Sequence, residues 1–383
     1  MTRPLRFAAL LSFLFAAALM PAQAQALPAP LLAARSDEEH DPSPEPADQT
    51  ATPRLASIGP YRVLRELGAG GMGRVYLAES QGRIQRRVAL KVLNEATFSP
   101  RLLAQFEVEA QALARIEHEH VARLYEFGAD DNGRPWMAME WVDGEPLTDY
   151  CDRRQLALDE RLELFAQVAR AVEHMHRRGV LHGDLKPANI LVCERDGRAV
   201  SKVIDLGLAR LKSASGEETD LVMGTPAYMA PEHFGAEPGS VDARADVFAL
   251  GVVLRELLVG GAGHTLDSLR LAAAPWLAAF APRAAPSEEL RQSGAKGGAL
   301  ARLRRSSLRG LQARLEAGLD RVVQRASALR RDERTASAGE LASEVEGELA
   351  RHARAQVLRR GALALGAAAT VGAGLAAGLA ALI

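Results

Sequence analysis

The sequence predicts an α+β chain in two unequal parts, a small β-rich part followed by a larger helical one. Three observations carry that expectation. Between Tyr61 and Met139, short apolar runs alternate with polar residues at the two-residue period of strands. From Leu156 onward the period changes to that of helices, as in Leu162, Phe165, Val168, Ala169, Val172 and Met175. A glycine-rich run, Gly68-Ala69-Gly70-Gly71-Met72-Gly73, joins two of the predicted strands rather than a strand and a helix.

The elements follow in order. Residues 1–26 read as a secretory leader, with Arg3 and Arg6, an apolar run from Phe7 to Met20, and small residues around Ala22 and Ala24. Residues 27–60 are proline-rich with an acidic cluster, Asp37-Glu38-Glu39, and read as a linker without fixed structure. The first compact part spans 61–142. Its strands fall around Tyr61–Leu67, Val75–Ala78, Val88–Leu93, Val121–Phe127 and Trp136–Met139, and its helix over 100–116, where Leu102, Leu103, Phe106, Ala110 and Leu113 share a face. The second part, 143–350, is mainly helical. Arginines 302, 304, 305, 309 and 314 there are interleaved with leucines and read as a solvated helical face. Residues 351–360 hold Arg351, Arg354, Arg359 and Arg360, and 361–383 carry no charge, long enough for a membrane-spanning helix of about 20 residues.

Composition removes several classes. A net charge of −1 excludes a wholly basic nucleic-acid binder, and no nucleic acid partner is expected. With 48% hydrophobic residues and no long repeat, the 383-residue chain is neither fibrous nor disordered. Two cysteines, Cys151 and Cys193, supply neither a disulfide framework nor a cysteine-rich zinc site. His174 and His176, two apart on a predicted helix, point to different faces and do not suggest a metal pair. Five lysines stand against 42 arginines, which makes lysines inside motifs noticeable.

Those motifs point to phosphate chemistry. Spaced glycines let a backbone approach a polyphosphate and present amide donors to it. Lys91, in the apolar strand Val88–Leu93, needs an anionic partner, because an unpaired buried charge is costly. Glu109, on the next helix, can supply one. In His182-Gly183-Asp184-Leu185-Lys186-Pro187-Ala188-Asn189, Asp184 can take a proton from an attacking hydroxyl, Lys186 can stabilise charge on a moving phosphoryl group, and Asn189 offers a metal-binding oxygen. Asp205 ends the apolar run Val203-Ile204, and magnesium on phosphates prefers one or two carboxylates. Positioning and charge neutralisation, which phosphoryl transfer chiefly needs, are what these groups offer.

From about Tyr61 to Leu349 the chain resembles the eukaryotic-like (Hanks-type) serine/threonine protein kinases of the membrane-attached bacterial kind, with nearly every signature motif in order. The resemblance implies a bilobal fold, ATP and Mg2+, and protein substrates phosphorylated on Ser or Thr hydroxyls, the chain itself among them. It implies that Gly68, Ala69, Gly70, Gly71 and Gly73 cover the ATP phosphates, that Lys91 contacts them and pairs with Glu109, that Asp184 is the base, and that Asn189 and Asp205 hold magnesium. It places Met139 at the gatekeeper position, the backbone of Glu140 and Val142 at adenine, and Val75, Ala89 and Leu191 around that ring. Thr225, in Gly224-Thr225-Pro226 before Ala230-Pro231-Glu232, would contact the substrate hydroxyl region, Glu232 would pair with Arg334, and Asp246 would brace the catalytic loop.

Two positions depart from the family pattern. Gly183 stands where many members have the arginine that grips an activation-loop phosphate, so activity is expected to depend weakly on loop phosphorylation. Leu206 replaces the commoner phenylalanine. Two rival readings use the same motifs: a nucleotide-gated pseudokinase scaffold, and a small-molecule phosphotransferase, which usually lacks the Gly-Thr-Pro to Ala-Pro-Glu segment. The arginines before residue 361 place the preceding domain in the cytoplasm, where ATP and magnesium are available, whereas a cleaved leader would export it. The expectation is therefore a cytoplasmic kinase domain anchored by 361–383, with 1–26 either an uncleaved membrane-associated piece or the product of a start codon placed too early. Homodimers are common in the family, but no stretch of the sequence identifies an interface.

Overall fold

The computed structural model describes residues 57–69, 73–93, 100–205, 210–211, 226–234, 241–260 and 284–380. The expected leader, most of the linker, and Gly70, Gly71 and Thr225 lie outside the described residues.

The first lobe is one sheet of six antiparallel strands and a helix. The strands are β1 (Ser57–Ile58), β2 (Tyr61–Ala69), β3 (Gly73–Ser80), β4 (Arg87–Leu93), β5 (Leu124–Ala129) and β6 (Pro135–Glu140), in the spatial order β1-β2-β3-β4-β6-β5. Helix α1 (Pro100–Ala114) lies between β4 and β5 in the chain. Alternation along the central strand β4 decides which face each side chain takes. Val88, Leu90 and Val92 pack with Tyr61, Val63, Ala78, Trp136 and Ala138. Leu93, with Met137 and Met139 of β6, packs instead with Phe106, Ala110 and Leu113 of α1. Lys91, in register with Met137, therefore belongs to the helix-side face. Gly73 is required by close approach, because a Cβ there would lie 2.0 Å from the Val92 carbonyl oxygen.

The strand expected from Val121 begins instead at Leu124. Val121 bridges Val203, and the Ala122 N–H donates to the Val203 carbonyl at 2.9 Å. These hydrogen bonds tie 121–122 to the second lobe and withdraw them from the sheet.

The second lobe opens with β7 (Glu145–Pro146), α2 (Leu147–Arg153) and α3 (Leu158–Arg177). Leu158, Leu162, Phe165, Val168, Ala169, Val172 and Met175 are buried on α3, the stripe that its periodicity predicts. The Glu160 carboxylate accepts the Ala157 N–H at 2.7 Å, satisfying a donor at the helix start. Short strands follow: β8 (Val180–Leu181), β9 (Ile190–Arg195), β10 (Arg198–Val203) and β11 (Arg210–Leu211), with β10-β9-β7 as one small sheet and β11-β8 as another. Helix α4 (Ala243–Val259) is apolar on nearly every side and buried accordingly, with Asp242 capping it by accepting the Arg244 N–H at 2.8 Å. Helices α5 (Pro286–Gln292), α6 (Ala295–Leu303), α7 (Leu308–Arg314), α8 (Asp320–Ala326) and α9 (Ala338–Ala380) complete the lobe. Arg170 of α3 holds α9 through Glu346 and Ser343, both at 3.1 Å.

One expectation needs correction. Arg304 is not on a solvated face. It is buried, and its guanidinium donates to the carbonyls of Leu257 and Glu256 near the end of α4 and of Leu300 on α6, at 3.1, 3.4 and 3.1 Å. Among the leucines interleaved with those arginines, Leu311 and Leu315 are buried and Leu308 is exposed. Among the described residues no helix is long and apolar enough to cross a membrane. The uncharged run 361–383 continues α9 as far as Ala380, and its side chains from 363 onward lie outside the described residues.

Candidate active site

Lys91 is the centre of the site. Its ammonium, buried in the first lobe, donates to both oxygens of Glu109 on α1 at 2.7 and 2.9 Å and to Asp205 Oδ1 at 2.6 Å. Asp205 lies 114 residues further along, past β10 of the second lobe, so one side chain joins both lobes. Burial alone would draw the lysine pKa down. The carboxylates of Glu109 and Asp205 outweigh it and hold the ammonium above the ordinary lysine range. Burial likewise pushes Asp205 upward, but Lys91 keeps its carboxyl below the usual carboxylate range. Asp205 has φ +57°, a left-handed backbone that aspartate tolerates better than most residues.

Opposite lies the loop between β8 and β9. Lys186 Nζ donates to Asp184 Oδ2 at 2.6 Å. The Asn189 amide donates to the Asp184 carbonyl at 2.8 Å and to Asp184 Oδ2 at 3.1 Å. With its N–H groups spent on Asp184, Asn189 offers its side-chain oxygen to a cation. The loop is held from below by Asp246, in the first turn of α4 and fully buried. It accepts the His182 N–H and the Gly183 N–H, each at 2.9 Å, and Oδ2 meets His176 Nε2 at 2.7 Å. Burial opposes ionisation of Asp246, yet the hydrogen bond and charge of His176 win and lower its pKa to about 2. Gly183 takes φ +77°, which glycine adopts without a Cβ clash.

The remaining predicted residues fall on the elements around this centre. Gly68 is on β2, opposite Val75 of β3. Ala89 on β4 faces Met139 of β6, and Glu140 ends that strand. Val142 packs with Ala122 and Cys193, and Leu191 of β9 lies against them. Glu232 and Arg334 meet in a two-pronged ion pair, Nη1–Oε1 at 2.6 Å and Nη2–Oε2 at 3.1 Å, with the guanidinium over the Phe248 ring. Sequence reasoning missed His176 as the partner of Asp246, and a cluster in which Lys202 and Arg195 converge on Glu140. The one available signal for Lys202 is its rarity as a lysine in an arginine-rich chain.

Asn189 and Asp205 are a donor set suited to magnesium, which is held by one or two protein oxygens together with phosphates rather than by a protein cage. Among the described residues no three His, Cys, Asp or Glu side chains are arranged to hold a metal by themselves.

The protein kinase domain family matches residues 61–265. The chain belongs to that family. Serine/threonine-protein kinase Pkn1 of Myxococcus xanthus is 40% identical over 230 residues, 56% of this chain and 32% of the relative. Serine/threonine-protein kinase PknD of Mycobacterium tuberculosis is 33% identical over 318 residues, 81% and 43% respectively. The chain thus spans less than half the length of these relatives. Among solved structures, a double mutant of the PknI kinase domain from Mycobacterium tuberculosis superposes with a TM-score of 0.55 at 28% identity, covering 78% of this chain and 99% of that one. The protein kinase fold, with a β-rich first lobe and a helical second lobe, is therefore established.

Proposed function

We propose that this chain is an ATP-dependent protein serine/threonine kinase, acting on Ser and Thr hydroxyls of proteins and on itself. The observation that carries the reading is Lys91 held between Glu109 and Asp205, with Asp184 and Asn189 on the facing loop. In this reading Gly68, Ala69, Gly70, Gly71 and Gly73 cover the phosphates, and Lys91 orients them while Glu109 fixes the lysine. Asn189 and Asp205 hold magnesium, which when bound neutralises phosphate charge. Val75, Ala89, Met139 and Leu191 enclose adenine, and the backbone of Glu140 and Val142 binds its edge. Asp184 accepts the substrate hydroxyl proton, Lys186 stabilises the charge that moves with the phosphoryl group, and Thr225 helps place the substrate. Transfer of radiolabel from ATP with magnesium tests this: wild type should label itself or a protein substrate, and Asp184→Asn should not. Nucleotide binding without transfer by wild type would favour a scaffold instead.

Membrane attachment is part of the same proposal. The uncharged run 361–383 and Arg351, Arg354, Arg359 and Arg360 before it support an anchor with the kinase domain on the cytoplasmic side. Protease added outside tagged spheroplasts should leave that domain intact; digestion would overturn the placement.

A further inference from the structure

Among the described residues two lysines are buried, Lys91 and Lys202. The proposed transfer uses the first and leaves the second without a role. Lys202 lies on β10, and its ammonium donates to Glu140 Oε2 at 2.7 Å. Glu140 Oε1 accepts from Arg195 Nη2 at 2.6 Å, and the Glu140 N–H donates to the Arg123 carbonyl at 2.8 Å. Side-chain exposure is 4% for Lys202 and 14% for Glu140, so this pair is largely withdrawn from water, unlike the exposed ion pairs elsewhere on the surface. Burial works against the Glu140 carboxylate, but the hydrogen bonds from Lys202 and Arg195 hold its pKa below the usual range.

The placement gives the pair a task. Glu140 is the last residue of β6, and the chain from Trp141 to Gly144 then crosses to β7 without regular structure. Lys202 is opposite Leu191 in the β9–β10 register, so the two side chains share a face. Val200, Cys193 and Ile204, on the same face, pack with Val142 of the crossing segment. Three residues beyond Lys202, the same run of chain delivers Asp205. One ammonium thus ties the entrance of the crossing segment to the strand that leads to the metal-site carboxylate.

The composition bears on this independently. The chain has five lysines against 42 arginines. Lys91, Lys186 and Lys202 each have the ammonium on a carboxylate in or behind the cleft. An ammonium is a compact point charge on a flexible stem, so Lys202 reaches the Glu140 carboxylate without the planar fork that a guanidinium would bring.

We infer that Lys202 is a positioning residue for the nucleotide: through Glu140 it fixes the crossing segment against the sheet that carries Leu191 and Asp205. The inference rests on the kinase reading above, because only that reading puts the crossing segment at adenine. Lys202 touches no reacting atom, so its removal should weaken ATP binding while leaving chemistry in place.

The test uses the full chain, with Mg·ATP titrated calorimetrically and steady-state phosphorylation measured in parallel. Lys202→Met should raise the KM and Kd for ATP about tenfold with kcat within about twofold, the pattern of lost uniform binding. The double variant Glu140→Leu with Lys202→Met removes both charges; it should recover thermal stability without recovering ATP affinity. Unchanged ATP affinity in Lys202→Met, or affinity restored along with stability in the double variant, would show that the pair serves the fold alone and would overturn the inference. If Lys202→Met does not fold, the double variant decides. A wild-type chain that binds no ATP would instead fell the kinase reading, and this inference with it.

Discussion

Replacing Asp246 by asparagine probes how the catalytic loop is held. The carboxylate accepts from two backbone N–H groups and meets His176, and it is buried. Asparagine keeps one accepting oxygen and turns an NH2 group toward a former donor, so at least one contact becomes donor against donor. The magnitude follows from the pKa. Folding lowers it from 3.8 to about 2, and a shift of that size corresponds to about 2 kcal/mol of stability at neutral pH. Because the folded-state value is the lower one, this contribution is fully present above about pH 4 and is lost as pH falls toward 2. Urea denaturation of wild type and Asp246→Asn should therefore differ by about 2 kcal/mol at pH 7 and by roughly half as much at pH 3. Turnover should fall as well, by about tenfold or more, since the Gly183 N–H positions the peptide unit next to Asp184. A stability gap that is the same at both pH values would refute the electrostatic argument. Unchanged turnover would refute the positioning role.

Other outcomes follow from the same geometry. Lys91→Met should lower phosphate transfer about a hundredfold or more, because it removes a fixed cation from the site of charge development; a loss below tenfold in a transfer assay would place the phosphates elsewhere. Arg334→Leu removes the two-pronged ion pair with Glu232 and should destabilise the fold by about 3 kcal/mol, read as a lower denaturation midpoint. Alanine at Ser213, Ser215 and Thr219 together should leave turnover within about twofold, since Gly183 offers no guanidinium to a loop phosphate; a collapse in activity would show that another cation takes that part.

What could be read from the sequence was local or carried by spacing. Lys91 stands within the apolar run Val88–Leu93, and a charged residue in that setting requires the carboxylate that Glu109 provides. The apolar stripe of α3 was equally legible. What escaped were polar groups whose partners lie far along the chain. Arg304 looked like one more surface arginine, yet it serves carbonyls at the end of α4, some 47 residues earlier. The partner of Lys202 is 62 residues away, and that of His176 is 70 away on another helix. A hydrogen bond between backbone oxygens and a distant guanidinium leaves no periodic trace. Val121 misled for a related reason: a β-branched residue favours a strand, but its bridge partner Val203, whose carbonyl takes the Ala122 N–H, belongs to the other lobe.

The account turns on two lobes converging on one magnesium nucleotide, and a crystal structure of the full chain with magnesium and a non-hydrolysable ATP analogue addresses that directly. Phosphate oxygens within hydrogen-bond reach of Lys91 Nζ, and a cation between the side-chain oxygens of Asn189 and Asp205, are the predicted result. A nucleotide bound away from Lys91, or a cation that neither Asn189 nor Asp205 touches, would contradict it.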